Sequence, residues 1–225
     1  ERRQGVTVSD VRIHTTMEGV LDLSCQVDAI DGPAPRAVSV ILDRNGREHR
    51  TQLAAGTTAG LFRGRLSVPA AAQWWPHTHG DPALYSARLE ISVGKSAVAV
   101  DLGSTGFRTV SLDSTEGDFA VKVNGVPIFC RGACWTPLDP VSFDNEPGAL
   151  AQAFDQVVDA GMNMLRVGGT MVYESDSFLD QCDRRGVLLW QDFMFANLDY
   201  PEDDAAFIEQ ASLEARQQIA RLQGR

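Results

Sequence analysis

A chain of 225 residues, 44% hydrophobic and 22% charged, can bury one large core or two smaller ones, and a formal net charge of −10 with no basic stripe argues against a nucleic-acid partner. No apolar run approaches the ~20 residues that span a bilayer, and the opening ERRQGVTVSD lacks the apolar region of a secretion signal, so the expectation is a cytoplasmic chain with no membrane partner. The four cysteines include one CxxxC pair, Cys130 and Cys134, but no CxxC and no histidine at zinc-finger spacing, so small buried thiols are expected rather than a metal site.

From residue 6 to about 110 the hydrophobic period is two. Leu21, Leu23, Cys25 and Val27 alternate with polar residues, as do Phe62, Gly64, Leu66 and Val68, and then Tyr85, Ala87, Leu89, Ile91 and Val93. Turn signals separate these runs: DGPAP at 31–35, Asn45-Gly46 and Gly94-Lys95. About seven short strands with no helix between them predict an antiparallel immunoglobulin-like β-sandwich over residues 1–112. Trp74-Trp75-Pro76 is expected to pack at one end of that sandwich. His77, His79 and Asp81 follow it, but a lone His-x-His is a weak metal signal.

The period then changes. Asn124-Gly125 predicts a hairpin, after which strand and helix patterns alternate. Leu150, Phe154, Val157 and Val158 share a helical face that stops at Gly161; Asn163–Val167 is a strand; a second helix begins near Ser175 and stops at Gly186; Val187–Trp190 is the next strand. Phe207, Ala211, Ala215 and Ile219 suggest the apolar face of a third helix. This order implies parallel strands with crossover helices, read here as the first three βα units of a TIM (β/α)8 barrel over residues 113–225. Three units cannot close such a barrel, so the chain reads as the front part of something longer.

Barrel chemistry sits at the C-terminal ends of the strands. At these ends the chain places Arg131, Trp135 and Asp139; Arg166 before Gly168-Gly169; and Trp190-Gln191-Asp192. Aromatic faces with flanking carboxylates suit a sugar, whose C–H faces stack while its hydroxyls need hydrogen bonds. The same tryptophans could equally fill the core, and the charges could form structural ion pairs. Asn145-Glu146, just before Pro147, reads as a helix start.

Three segments, WWPHTHGDPALY (74–85), VNGVPIFCRGACWTPLDP (123–140) and AGMNMLRVGGTMVYESDSFLDQCDRRGVLLWQDFMFANLDYP (160–201), resemble the β-mannosidase branch of glycoside hydrolase family 2. The resemblance implies hydrolysis of terminal β-mannosides with retention by two glutamates about 5–5.5 Å apart, with no cofactor and no metal. It places both glutamates on later strands, so no catalytic residue is expected in this chain. Matched residue by residue, Trp190 lines the sugar subsite, Arg166 stands near the nucleophile, and Trp135 and Asp139 lie at the pocket rim. Asp192 is expected to hydrogen-bond Arg166, and Glu174 to support a helix start or the site rather than react. Gly168 departs from the pattern, since relatives carry a tryptophan there; this keeps β-galactosidase or exo-glucosaminidase specificity open. A non-catalytic sugar-binding or assembly module is the alternative of a different class.

Overall fold

The computed structural model describes residues 2–3, 5–30, 32–117, 119–143 and 146–223. The chain divides into two compact units: Glu1–Gln73 with Ala83–Arg108 and Leu222–Arg225, and Trp74–Pro82 with Thr109–Arg221. No helix among the described residues is long and apolar enough to cross a membrane.

The first unit carries strands β1 (Arg2–Arg3), β2 (Val6–Thr15), β3 (Val20–Ala29), β4 (Ala37–Arg44), β5 (Arg47–Ala55), β6 (Leu61–Ser67), β7 (Tyr85–Val93) and β8 (Ser96–Thr105). They form one eight-stranded antiparallel sheet in the order β1-β2-β3-β6-β5-β4-β7-β8. The β5–β6 ladder has only the pairs Ala54↔Arg63 and Ala55↔Phe62, so the sheet bends there and folds its two halves over one core. Each predicted row points inward. Leu21, Leu23, Cys25 and Val27 of β3 meet Val38, Val40 and Leu42 of β4 and Tyr85, Ala87, Leu89 and Ile91 of β7 in a single buried cluster. Burial of each large apolar side chain contributes ~1.5–3 kcal/mol, and burial also pushes the Cys25 thiol up to about 11. Between β4 and β5, Asn45 and Gly46 both adopt positive φ, 56° and 79°, the two-residue turn whose twist matches a right-twisted hairpin.

The second unit begins with β9 (Val110–Asp113), β10 (Ala120–Val123) and β11 (Val126–Ile128) as an antiparallel sheet. The parallel sheet follows: β12 (Gly132–Trp135), β13 (Met164–Val167) and β14 (Leu188–Gln191), crossed by α1 (Pro147–Asp159) and α2 (Asp176–Arg185) and followed by α3 (Ala205–Leu222). The helix boundaries follow local chemistry. Glu146 caps α1 by accepting the Ala149 N–H at 2.9 Å; its neighbour Asn145 lies outside the described residues. The helix closes with Met162 N–H on Val157 O and Gly161 N–H on Val158 O, a Schellman ending. Ser175 caps α2, and Gly186 ends it in the left-handed region at φ 67°.

Two expectations are corrected. Trp74-Trp75-Pro76 packs within the second unit: the buried Trp74 indole donates to Asp183 O at 2.8 Å, and the His77 N–H donates to Gly186 O at 3.0 Å. The His77 ring is likewise engaged, with Nε2 against Met162 O at 2.8 Å. On α3 the apolar row does not stay buried, since Ile219 is 53% exposed. Four-residue steps advance 400° around a helix with 100° per residue, so the row drifts 40° per step. Beyond Phe207, which packs on Phe195 and Tyr200, α3 is held by polar contacts. Tyr173 Oη donates to Glu214 at 2.6 Å, and Arg221 donates to Glu174 O at 2.7 Å and to Asp176 at 2.9 Å. Burial and the Glu214 bond together push the Tyr173 hydroxyl up to about 12.

Gly186 carries a testable demand on this unit. A Cβ there would lie 2.5 Å from the His77 backbone nitrogen, in addition to the positive φ. Gly186→Ala is expected to destabilise the chain by about 2–4 kcal/mol in urea unfolding. Gly117→Ala, at φ 80° with no atom near its Cβ, should cost only about 1 kcal/mol and separates conformation from collision.

Candidate functional site

Registered residues of a parallel sheet project to the same face, and neighbours along a strand to opposite faces. The pairs Trp135↔Val167↔Gln191 therefore share one face, and Cys134↔Arg166↔Trp190 the other.

The first face is covered by helices. Leu165 and Val167 are buried there, and Trp135 packs on Phe178 and Phe154 with ring centroids 5.0 and 5.9 Å away. Its indole N–H donates to Glu174 Oε1 at 2.7 Å, and Glu174 is only 4% exposed. A carboxylate withdrawn from water needs such donors. The structure thus does not bring Trp135 to the rim expected for it; the indole is core, and Glu174 is its partner rather than a reacting acid.

The second face is open. Arg166 presents its guanidinium fork to Asp192, with Nε to Oδ1 at 3.3 Å and Nη2 to Oδ2 at 2.6 Å. The Asp192 N–H bonds Val167 O at 3.0 Å, which ties the segment after β14 to the end of β13 and aims the carboxylate. The expected Arg166–Asp192 bond is therefore present. A bidentate pair fixes the plane of an arginine as well as its position. The Asp192 bond, then the Cys134 sulfur, raises Arg166 above its ordinary value, so it stays charged. Beside it Trp190 is 42% exposed and lies against Phe119, ring centroids 5.7 Å apart. Val110, Leu112, Val121 and Leu188 extend these rings into an apolar groove of about 330 Å³.

Two further candidates fall outside this cluster. The Asp139 carboxylate accepts the Ser142 hydroxyl at 2.7 Å and the Val141 and Ser142 amides at 2.8 and 3.3 Å. These bonds, the hydroxyl first, hold it below the usual carboxylate range. It organises its own turn and is not paired with Arg166 in the structure. Arg131 stands at the entrance of β12, where its backbone N–H donates to the Asn163 side chain at 2.9 Å, not at the strand's far end. Sequence reasoning missed Cys134, although period-two alternation already puts it on the face opposite Trp135. It also missed Phe119, for which no local signal exists.

The loop after β13 is closely packed on one side and open on the other. A Cβ on Gly169 would lie 2.6 Å from Phe193 O, whereas one on Gly168 would meet nothing within 4 Å. The position where the resemblance expects an indole is therefore open at its Cβ. The Phe193–Pro201 stretch returns to the protein through Phe195, Tyr200 and Phe207, whose rings pack 5.5 to 6.1 Å apart. Among the described residues no group of three metal-ligating side chains occurs.

Residues 6–108 match the family model for glycosyl hydrolases family 2. The chain is 37% identical to the β-mannosidase of Capra hircus over 155 residues, 66% of this chain and 18% of that protein. It is 34% identical to β-mannosidase B of Aspergillus flavus over 209 residues, 88% of this chain and 24% of that protein. Among solved structures, a β-D-mannosidase from Dictyoglomus thermophilum superposes with a TM-score of 0.85 at 26% identity, covering 100% of this chain and 29% of its own. A β-glucuronidase from Parabacteroides merdae shares the fold, with a TM-score of 0.76 at 17% identity and 98% and 27% coverage. The chain thus spans roughly a fifth to a quarter of the length of the relatives it matches in sequence.

Proposed function

The chain belongs to glycoside hydrolase family 2, and from that premise we propose that it is a segment of a β-mannosidase-like retaining exo-glycosidase. In this reading an immunoglobulin-like sandwich over residues 1–112 leads into the first three βα units of a catalytic barrel over residues 113–225. The observation that carries it is the row at the parallel strand ends, where a half-exposed indole, Trp190, stands beside a guanidinium locked by a bidentate carboxylate. Such ends are where βα-barrels place their chemistry.

Each group then has a task. Trp190 offers a flat apolar face to the C–H side of a pyranose, and the adjoining groove continues that apolar surface. Arg166 supplies a fixed positive charge that keeps a neighbouring carboxylate ionised, the state a glycosidic nucleophile must hold. Asp192 orients Arg166 by holding two of its nitrogens. Trp135 with Glu174 supports the sheet from behind, and Asp139 shapes the loop after β12. Both catalytic glutamates come from later strands of the longer polypeptide.

The test is p-nitrophenyl β-mannoside offered to this chain and to the longer polypeptide. Hydrolysis by the longer form and none by the 225-residue chain is the expected result; turnover by the short chain would refute the assignment of its chemistry elsewhere.

The open space at Gly168 favours weighing other family 2 specificities, because the side chain that the resemblance expects there is absent. A panel of nitrophenyl β-galactoside, β-glucosaminide and β-mannoside ranks them. Sugar binding with no hydrolysis of any member would identify a binding module instead.

A further inference from the structure

The Arg166 guanidinium has three nitrogens, and Asp192 holds only two of them. The third, Nη1, lies 3.9 Å from the Cys134 sulfur, within the longer reach of a hydrogen bond to sulfur. The placement follows from strand register, since Cys134 and Arg166 are paired residues of β12 and β13. Cys134 differs from the other thiols in this respect: Cys25 and Cys182 are buried, and the Cys130 thiol is directed at Ile128 O, 3.6 Å away. The Arg166 side chain is 50% exposed, so a second contact on Nη1 adds to the restraint that the Asp192 fork already imposes.

We propose that Cys134 is a positioning residue for Arg166. Its sulfur braces the guanidinium edge that Asp192 leaves free, so thiol, cation and carboxylate form one unit across the three strand ends. Its relevance to turnover rests on the functional reading above, in which Arg166 works beside the substrate. The contact itself does not.

Two measurements keep these apart. The first is the rate at which p-hydroxyphenylglyoxal, an arginine-selective dicarbonyl, modifies Arg166, followed by peptide mass mapping, with the exposed Arg63 as internal control. Cys134→Ala is expected to speed labelling of Arg166 by roughly 2- to 3-fold, the low end of what a hydrogen bond provides, since sulfur is a weak acceptor, while leaving Arg63 unchanged. Cys134→Ser, which retains an acceptor of similar size, should stay near the parent rate. An unchanged Arg166 rate in Cys134→Ala, with Asp192→Asn still accelerating it, overturns the proposal.

The second is kcat and KM of the longer polypeptide on p-nitrophenyl β-mannoside. Cys134→Ala should lower kcat more than it raises KM, Cys134→Ser should restore kcat, and neither change should add to the loss already caused by Arg166→Lys. Additive losses would place Cys134 outside the unit and overturn its role. If the parent enzyme hydrolyses no glycoside in the panel, the functional reading fails, and the labelling rates alone then decide the proposal.

Discussion

Asn163→Leu is expected to destabilise the second unit by about 3–5 kcal/mol, seen as a fall in the urea midpoint followed by tryptophan fluorescence. The residue is fully buried and carries a polar head that nothing else in its surroundings can replace. Its Oδ1 accepts the Arg131 N–H at 2.9 Å, while its Nδ2 donates to Phe129 O at 3.1 Å and to Thr78 Oγ1 at 3.0 Å. Leucine of similar volume leaves the part-buried Arg131 N–H and Phe129 C=O without these partners, at about 1–3 kcal/mol apiece. Thr78→Val removes one acceptor of the Asn163 amide, along with an exposed bond between the hydroxyl and His79 Nδ1, and should cost about 1 kcal/mol. Equal effects of the two substitutions would mean that the amide is not the node that joins these segments.

Arg166→Lys carries the largest expected effect on activity. In the longer polypeptide it should lower kcat/KM on p-nitrophenyl β-mannoside by roughly 10²- to 10³-fold, the range found when one preorganised electrostatic group is removed. Lysine keeps the charge but cannot span both carboxylate oxygens of Asp192, so it separates the value of a fixed fork from that of a cation. Stability should hardly move, within about 1 kcal/mol, because half-exposed ion pairs contribute little to folding. Unchanged kcat/KM would remove Arg166 from the site, and with it the observation on which the functional reading stands.

Features governed by nearest neighbours were legible from sequence. The inward rows of β3, β6 and β7 follow from alternation alone, and the limits of α2 follow from a serine that can cap and a glycine that can turn left-handed. The Arg166–Asp192 bond was also legible, because two strand ends in adjacent βα units must lie side by side. Trp135 was not. Alternation separates it from Cys134, but which face meets the helices depends on where α1 and α2 pack, and that is a tertiary fact. Asp139 bonds locally rather than across the strand ends, because its own turn offers a hydroxyl and two amides. Trp74 joins a unit whose other members lie beyond residue 108, a long-range pairing that no local pattern announces.

That assignment of Trp74–Pro82 bears on how such genes can be dissected. The polypeptide enters the second body at Trp74, goes back to the first at Ala83, re-enters the second at Thr109 and ends in the first from Leu222, so no single cut yields two complete pieces. A truncation series stepping through residue 108 should give products that each lack an internal part or carry a stray one. Moving the first body into another scaffold would require replacing Trp74–Pro82 by a short linker, and moving the second would require supplying that segment anew.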